Sequence, residues 1–303
     1  MPSTILPDVD LRKILAGAQL PALPQSAIRL LELSQDPENG PAEFAAPIEG
    51  DPGLTGQVLR FVNSSYFGFS REISSVKLAI TLVGIRTIKN FALWSAVFSL
   101  MPNPRCGPFD LKSLWQDSLR RGLFARAMGK LLGLREAEDL FSAALLQDMG
   151  VPLLAKEAPA VYVKLLEARD TTHVRLSQLE QKVFGWTHAE AAGIIARQWK
   201  LPDQFADYLE AHVEVEPWVS QPDAAPEKLA VAMSALLPAA RDTRWHECTQ
   251  FEGYYERVAP PSGPSIVELL GTIDREFADL APVLKIANPG KSLVSAYYEV
   301  ATA

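Results

Sequence analysis

The sequence predicts an all-α protein built as two helical lobes with a helical C-terminal extension. Two observations carry this. Alternating apolar–polar runs are short and few, whereas apolar residues recur at spacings of three and four almost throughout. In addition, Met101-Pro102-Asn103-Pro104-Arg105-Cys106-Gly107-Pro108 is too rich in proline and glycine to continue a helix, which makes it the natural linker. The expected division is 1–101 for the N-terminal lobe, 102–108 for the linker, 109–240 for the second lobe and 241–303 for the extension.

The first predicted helix follows Leu20-Pro21-Ala22-Leu23-Pro24 and ends at the turn Asp36-Pro37-Glu38-Asn39-Gly40. Pro41 opens a short second one, which Pro47 should kink or stop. Asp51-Pro52 pairs a capping acid with a first-turn proline, and Leu54, Val58, Phe61 and Val62 form the buried stripe behind it. Asn63 should end that helix by satisfying nearby backbone groups. Tyr66, Phe67 and Phe69 are expected to plug the join between the lobes. Ser74 or Ser75 caps the next helix, Gly84 breaks it, and Ile85 to Leu100 follows as a nearly all-apolar segment with Phe91, Trp94 and Phe98 in the core.

The second lobe begins with a long helix, Leu111 to Leu132, carrying a basic strip at Arg120, Arg121 and Arg126. The next helix ends in Ala144-Leu145-Leu146-Gln147-Asp148-Met149-Gly150, with Gly150 read as the left-handed residue that closes it. Helices are expected at Tyr162 to Ala168 and at Leu176 to Phe184. Thr187-His188-Ala189-Glu190 is a capping box that places His188 in the first turn of a helix running to Trp199. Another helix ends near Ala211-His212, Glu214 to Pro226 reads as a loop, and Glu227 to Ala240 as a helix. Ser265 to Leu284 and Lys291 to Val300 complete the chain's expected helices.

Composition narrows the function. Apolar residues make up 48% and charged residues 21%, which suits an ordinary globular chain. A net charge of −7 and the lack of an exposed recognition helix with clustered Arg argue against DNA binding. Two cysteines, Cys106 and Cys248, lack metal-like spacing and suit a reducing cytosol. Residues 1–10 carry no basic start or apolar run of the secretory kind, and the longest apolar run, Phe91 to Met101, is too short to span a bilayer. With only four histidines, a His-rich metal centre is hard to build.

Two blocks of residues taken together resemble the HDOD family, a helical output-type domain of bacterial signalling proteins. The first joins Leu20-Pro21-Ala22-Leu23-Pro24, Asp51-Pro52-Gly53-Leu54-Thr55, the run Val58 to Gly68 and Ile73-Ser74-Ser75 with Ala79-Ile80. The second joins Leu114-Trp115-Gln116-Asp117-Ser118, Leu145 to Gly150, Phe184 to Glu190 and Trp199-Lys200-Leu201-Pro202. The likeness spans about Leu20 to Glu214.

The second half of that family is similar to HD and HD-GYP phosphohydrolases, in which histidines and aspartates hold divalent metals that activate water. Carried onto this sequence, the first His position is Asp117 and the His-Asp pair is Gln147-Asp148. The third His is His188, the later His-His pair is Ala211-His212, and the last Asp falls at the apolar Ala232-Met233. The resemblance therefore implies a degenerate metal site.

Each candidate residue keeps two readings. Asp148 is a ligand, or it caps the next helix or pairs with Arg120 or Arg121. Gln147 is a poor metal ligand and should hydrogen-bond within the old site. His188 is a neutral ligand or a packed histidine, and His212 a ligand or a surface or loop-capping residue. His173 and His246 read as surface residues, and Trp115 and Trp186 as packing near the ligand positions. If a metal is held, the expected set is Asp117, Asp148, His188 and His212 with Mg²⁺ or Mn²⁺; no cofactor is the leading expectation. The implied function is a non-catalytic, cytoplasmic signalling module that binds a protein partner, or a nucleotide, at the degenerate pocket. Its competitors are a residual metal phosphohydrolase and an inert helical scaffold. No kinase, receiver or cyclase motif accompanies the module, so its signal is expected to arrive through another chain.

Overall fold

A computed structural model describes residues 10–18 and 22–301. Leu20 and Pro21 of the first motif, and residues 1–9, lie outside the described residues. The described chain is all-α, with no strand among those residues. Six helices make the N-terminal part: α1 (Leu11–Gly17), α2 (Gln25–Leu33), α3 (Pro41–Glu49), α4 (Pro52–Val62), α5 (Val76–Val83) and α6 (Ile85–Leu100). Nine follow: α7 (Leu111–Leu131), α8 (Ala137–Leu146), α9 (Gly150–Glu157), α10 (Pro159–Thr172), α11 (Leu176–Phe184), α12 (His188–Gln198), α13 (Asp203–Ala211), α14 (Glu216–Ser220) and α15 (Pro226–Ser234). The C-terminal part holds α16 (Cys248–Val258), α17 (Ile266–Leu280) and α18 (Leu293–Ala301).

The starts follow local chemistry. The Asp51 carboxylate accepts from the Leu54 amide at 3.0 Å, and the Ser75 hydroxyl from the Leu78 amide at 3.1 Å. Asn63 closes α4: its side-chain amide donates to the Leu59 and Ile73 carbonyls at 2.9 and 2.8 Å, and its oxygen accepts from the Ile73 amide at 2.7 Å. Gly84 turns the chain from α5 into α6 at φ +92°, a conformation that a β-carbon disfavours.

Several expectations need correction. Pro47 sits inside α3 without stopping it; only one carbonyl loses its partner, and the helix ends two residues later anyway. Gly150 does not close a helix in the left-handed conformation. It opens α9, while α8 already ends at Leu146. The stretch Glu214 to Pro226 contains the short α14. The helix expected to reach Ala240 stops at Ser234, because Pro238 bars the preceding residue from helical angles. The helices α1 and α16 went unforeseen.

The buried apolar residues form one contiguous core from Leu11 to Ala296. α7 is its axis, with α8, α15 and α17 packed along it. α6 packs on α2 to α5 on one side and on α8 on the other. Phe98 of α6 stacks on Trp115 of α7 with ring centroids 3.4 Å apart. Of the three loop aromatics, Tyr66 crosses to α7, where the Arg126 guanidinium lies 4.9 Å from its ring centre. Phe67 packs edge-on against Phe61, and Phe69 stays exposed. The basic strip on α7 does not face solvent: Arg120 and Arg126 are both buried. No helix among the described residues is long and apolar enough to cross a membrane.

Candidate functional site

The site forms where the α8–α9 junction, the start of α12 and the end of α13 meet beside α7. A β-carbon on Gly150 would stand 2.5 Å from the His188 carbonyl oxygen. Glycine is therefore required there by close approach, and this approach brings the first turn of α12 against the α8–α9 junction. Asp148, two residues before that glycine, then faces His188. The Thr187 amide donates to the Glu190 carboxylate at 3.2 Å, holding the start of α12 in register.

Three of the expected residues come together. Asp148 Oδ1 lies 3.2 Å from His188 Nε2 and 3.6 Å from His212 Nε2, and the two Nε2 atoms are 3.2 Å apart. All three residues are buried. This corrects the surface reading of His212, which is 2% exposed. Each ring is fixed from behind. His188 Nδ1 donates to Glu180 Oε2 at 2.6 Å, and its backbone amide donates to the same oxygen at 2.8 Å. His212 Nδ1 donates to the Leu209 carbonyl at 2.6 Å. Tyr162 donates its hydroxyl to the other Glu180 oxygen.

The remaining two candidates stand apart. Asp117 is not in the cluster; its carboxylate accepts from the Ala240 amide at 2.6 Å. Gln147 is fully buried and turns into the core, where its oxygen accepts from the Ser234 hydroxyl at 3.1 Å while its side-chain nitrogen has no partner. The second oxygen of Asp148 is taken by the Arg121 guanidinium, so Asp148 pairs with α7 rather than capping α9. His173 and His246 are exposed and stack on one another, with centroids 3.8 Å apart. Trp186 stacks on Phe184.

Electrostatics follow from burial set against these partners. Burial alone would raise the Asp148 carboxyl, but Arg121, with the hydrogen bond from His188, outweighs it and holds that group well below the usual range. Burial alone would lower His188, but Glu180 and Asp148 raise it to about 10. His212 is lowered, chiefly by burial. Asp117 is pushed up to about 6 by burial, against the pull of Arg121.

A cavity of about 180 Å³ opens beside the cluster, lined by Asp117, Arg121, Asp148, Arg169, His188 and His212 among others. Its four arginines are each paired with an acid: Arg121 with Asp148, Arg169 with Asp242, Arg175 with Glu247 and Arg241 with Asp170. Glu180 and Tyr162 were not anticipated as site features, whereas the pairing of Asp148 with Arg121 was one of the readings the sequence offered. Glu180 comes from α11, a helix whose sequence carries no motif, and only the fold brings it under His188.

The HDOD domain model matches residues 20–215, well over half the chain. An uncharacterized protein of Treponema pallidum (strain Nichols) is 23% identical over 194 residues, covering 64% of this chain; the match takes in only 37% of that relative's length. Among solved structures, an HDOD domain protein with unknown function from Geobacter sulfurreducens superposes with a TM-score of 0.64 at 20% identity, covering 96% of this chain and 92% of that one. A candidate phosphohydrolase from Shewanella amazonensis SB2B gives 0.60 at 21% identity over 96% and 93% of the two chains. At these identities the superpositions establish the fold and leave chemistry to the site itself. Fold, motif order and family match agree: the chain belongs to the HDOD domain family.

Proposed function

We propose that this chain is a non-catalytic signal-transduction module that receives a small ligand or a protein partner at the cavity beside Asp148, His188 and His212. The observation that carries this reading is the Arg121–Asp148 ion pair. Two-metal hydrolysis of a phosphodiester needs ligands for two ions about 3.5–4 Å apart, with oxygens free to bridge them. Here a guanidinium stands on the Asp148 oxygen that a second ion would use. Gln147 is turned to Ser234, and Asp117 is held by the Ala240 amide. The test is turnover of bis(p-nitrophenyl) phosphate by protein loaded with zinc or manganese. Release at the rate of a protein-free blank is expected, and sustained release of nitrophenol sinks the reading. The acidic balance of the chain favours a protein or small-molecule partner over nucleic acid, and the two buried free thiols accord with a cytosolic setting.

A second reading, a one-metal phosphohydrolase, has one specific observation in its favour. Asp117, whose carboxyl titrates near 6, lines the same cavity as Asp148, His188 and His212. A bound ion would supply polarisation of phosphate and of water, and Asp117 is tuned to accept a proton near neutral pH. This reading requires turnover in the same assay, abolished by Asp117→Asn.

A further inference from the structure

One end of the cavity is formed by the start of α11. Leu176 and Ser177 line its wall and are the first two residues of that helix. Their amides have no intrahelical carbonyl to meet. No side chain caps them: Arg175 holds the capping position, and a guanidinium can only donate. Ser177 adds a hydroxyl. The residue is 6% exposed and lines the cavity, and its hydroxyl makes no hydrogen bond to the described residues. Buried donors in folded proteins are completed by protein, solvent or ligand. Two amides and a hydroxyl therefore converge on an acceptor that the chain does not itself supply.

The surroundings select a negative acceptor. A helix start carries partial positive charge and favours anions. Arg175 adds a full charge beside it. Its guanidinium is seated by the Val213 and Ala235 carbonyls at 3.3 and 3.5 Å and keeps N–H groups to spare. Its acid partner is the loosest of those on the cavity's arginines. Glu247 Oε1 stands 3.5 Å from Arg175 Nε, whereas Asp242 grips Arg169 through two parallel bonds, one of 2.9 Å. The other acids are engaged elsewhere: Asp148 by Arg121, Asp170 by Arg241, Asp110 by the Ser113 amide and Asp117 by the Ala240 amide. Glu247 is thus the group that an incoming anion displaces. The cavity, about 180 Å³, has room for several waters and hence for an oxyanion head group.

We infer that the start of α11 is an oxyanion subsite. The Leu176 and Ser177 amides, the Ser177 hydroxyl and the Arg175 guanidinium hold the phosphoryl or carboxylate group of a small ligand, and Glu247 competes with it for Arg175. The inference rests on the reading of this cavity as a ligand site and names the class of ligand. It draws on none of Asp148, His188 and His212.

The experiment titrates the full, nitrogen-15-labelled chain with sodium phosphate and, separately, with sodium acetate. Sodium chloride holds the ionic strength constant, and the backbone amide resonances are followed. Saturable shifts of the Leu176 and Ser177 amides are expected. Saturation by either anion supports the subsite, and the tighter of the two identifies the head group. Arg175→Gln should weaken binding about 10–100-fold, as loss of a hydrogen bond to a charged group does, and Ser177→Ala about 3–10-fold. Glu247→Gln should strengthen it about tenfold by removing the competing charge, a gain that no folding defect produces. Leu176 and Ser177 amides that neither anion moves overturn the proposal. So do equal shifts in sodium chloride alone, or an affinity that Arg175→Gln and Glu247→Gln both leave unaltered. Saturable anion binding accompanied by phosphodiester turnover overturns the non-catalytic reading alone, and absence of both overturns the oxyanion subsite alone.

Discussion

At the scale of single residues, the site is a set of buried groups whose ionisation is decided by neighbours. Asp117 is the case with a clear sign. Its folded carboxyl is raised to about 6, above its ordinary value near 3.8. The stability it contributes is therefore present at acid pH and is lost as pH rises through about 6, because the folded state resists ionisation. Asp117→Asn should leave stability unchanged below pH 4 and raise it by about 2–3 kcal/mol at pH 8. Urea unfolding at the two pH values checks this, and an equal effect at both would show that the carboxyl is not perturbed. Gly150 is the second case. A β-carbon there meets the His188 carbonyl oxygen at 2.5 Å, and that atom is backbone, so a helix must move. Gly150→Ala should cost about 1–3 kcal/mol, as overpacking does. It should also shift the His188 ring resonances, since the start of α12 is what moves.

Among the elements, helix starts were the most legible part of the sequence, because capping is local. Asp51 and Ser75 each accept the amide that their position predicts, whereas the cap at Asp110, which accepts from the Ser113 amide, was not foreseen. Stops were less legible. Gly150 looked like a closing glycine, but its reason is a packing contact with His188, nearly forty residues away, which local pattern does not encode. The site was legible in part for the same reason. Asp148, His188 and His212 were visible as residue types in family order. Glu180 was not, because its helix, α11, meets α12 only in the folded chain, and neither was the direction in which Gln147 turns. One capping interaction escaped notice because it is also long-range. The Asp274 carboxylate, on α17, accepts from the Leu293 and Val294 amides at 2.9 and 3.1 Å and so caps α18 from another helix. Asp274→Ala should destabilise α18 by about 1 kcal/mol. Native-state hydrogen exchange would show faster exchange in α18 and unchanged protection in α7; uniform loss across the chain would contradict a local cap.

For the molecule as a whole, the question is what the part outside the family match does. The buried polar face of α7 supplies the answer. Gln116 donates to the Ala287 carbonyl at 2.8 Å, and Arg120 donates to the Lys291 carbonyl. Arg126 pairs with Glu276 at 3.0 Å while its guanidinium packs between Tyr66 and Phe141. Gln116, Arg120 and Arg126 are all buried, so each needs its partner. Leaving a buried donor unsatisfied costs about 1–3 kcal/mol, and a buried charge more. Leu269, Leu270, Ile273, Phe277 and Leu280 of α17 add an apolar face to the same core. α17 also reaches the N-terminal part, where Ser65 donates to Asp279 at 2.8 Å. The C-terminal helices are thus structural completion of α7 and not an appended tail. A chain ending at Pro264 would strand Gln116 and Arg120, leave Arg126 with Glu138 alone of its two carboxylates, and expose the apolar side of α7. That loss is comparable with the whole stability of a typical domain, about 5–15 kcal/mol. The truncated protein is expected to be insoluble or to lose its cooperative urea transition. A soluble truncated monomer unfolding at the same urea midpoint as the full chain would show instead that α7 completes its core without them.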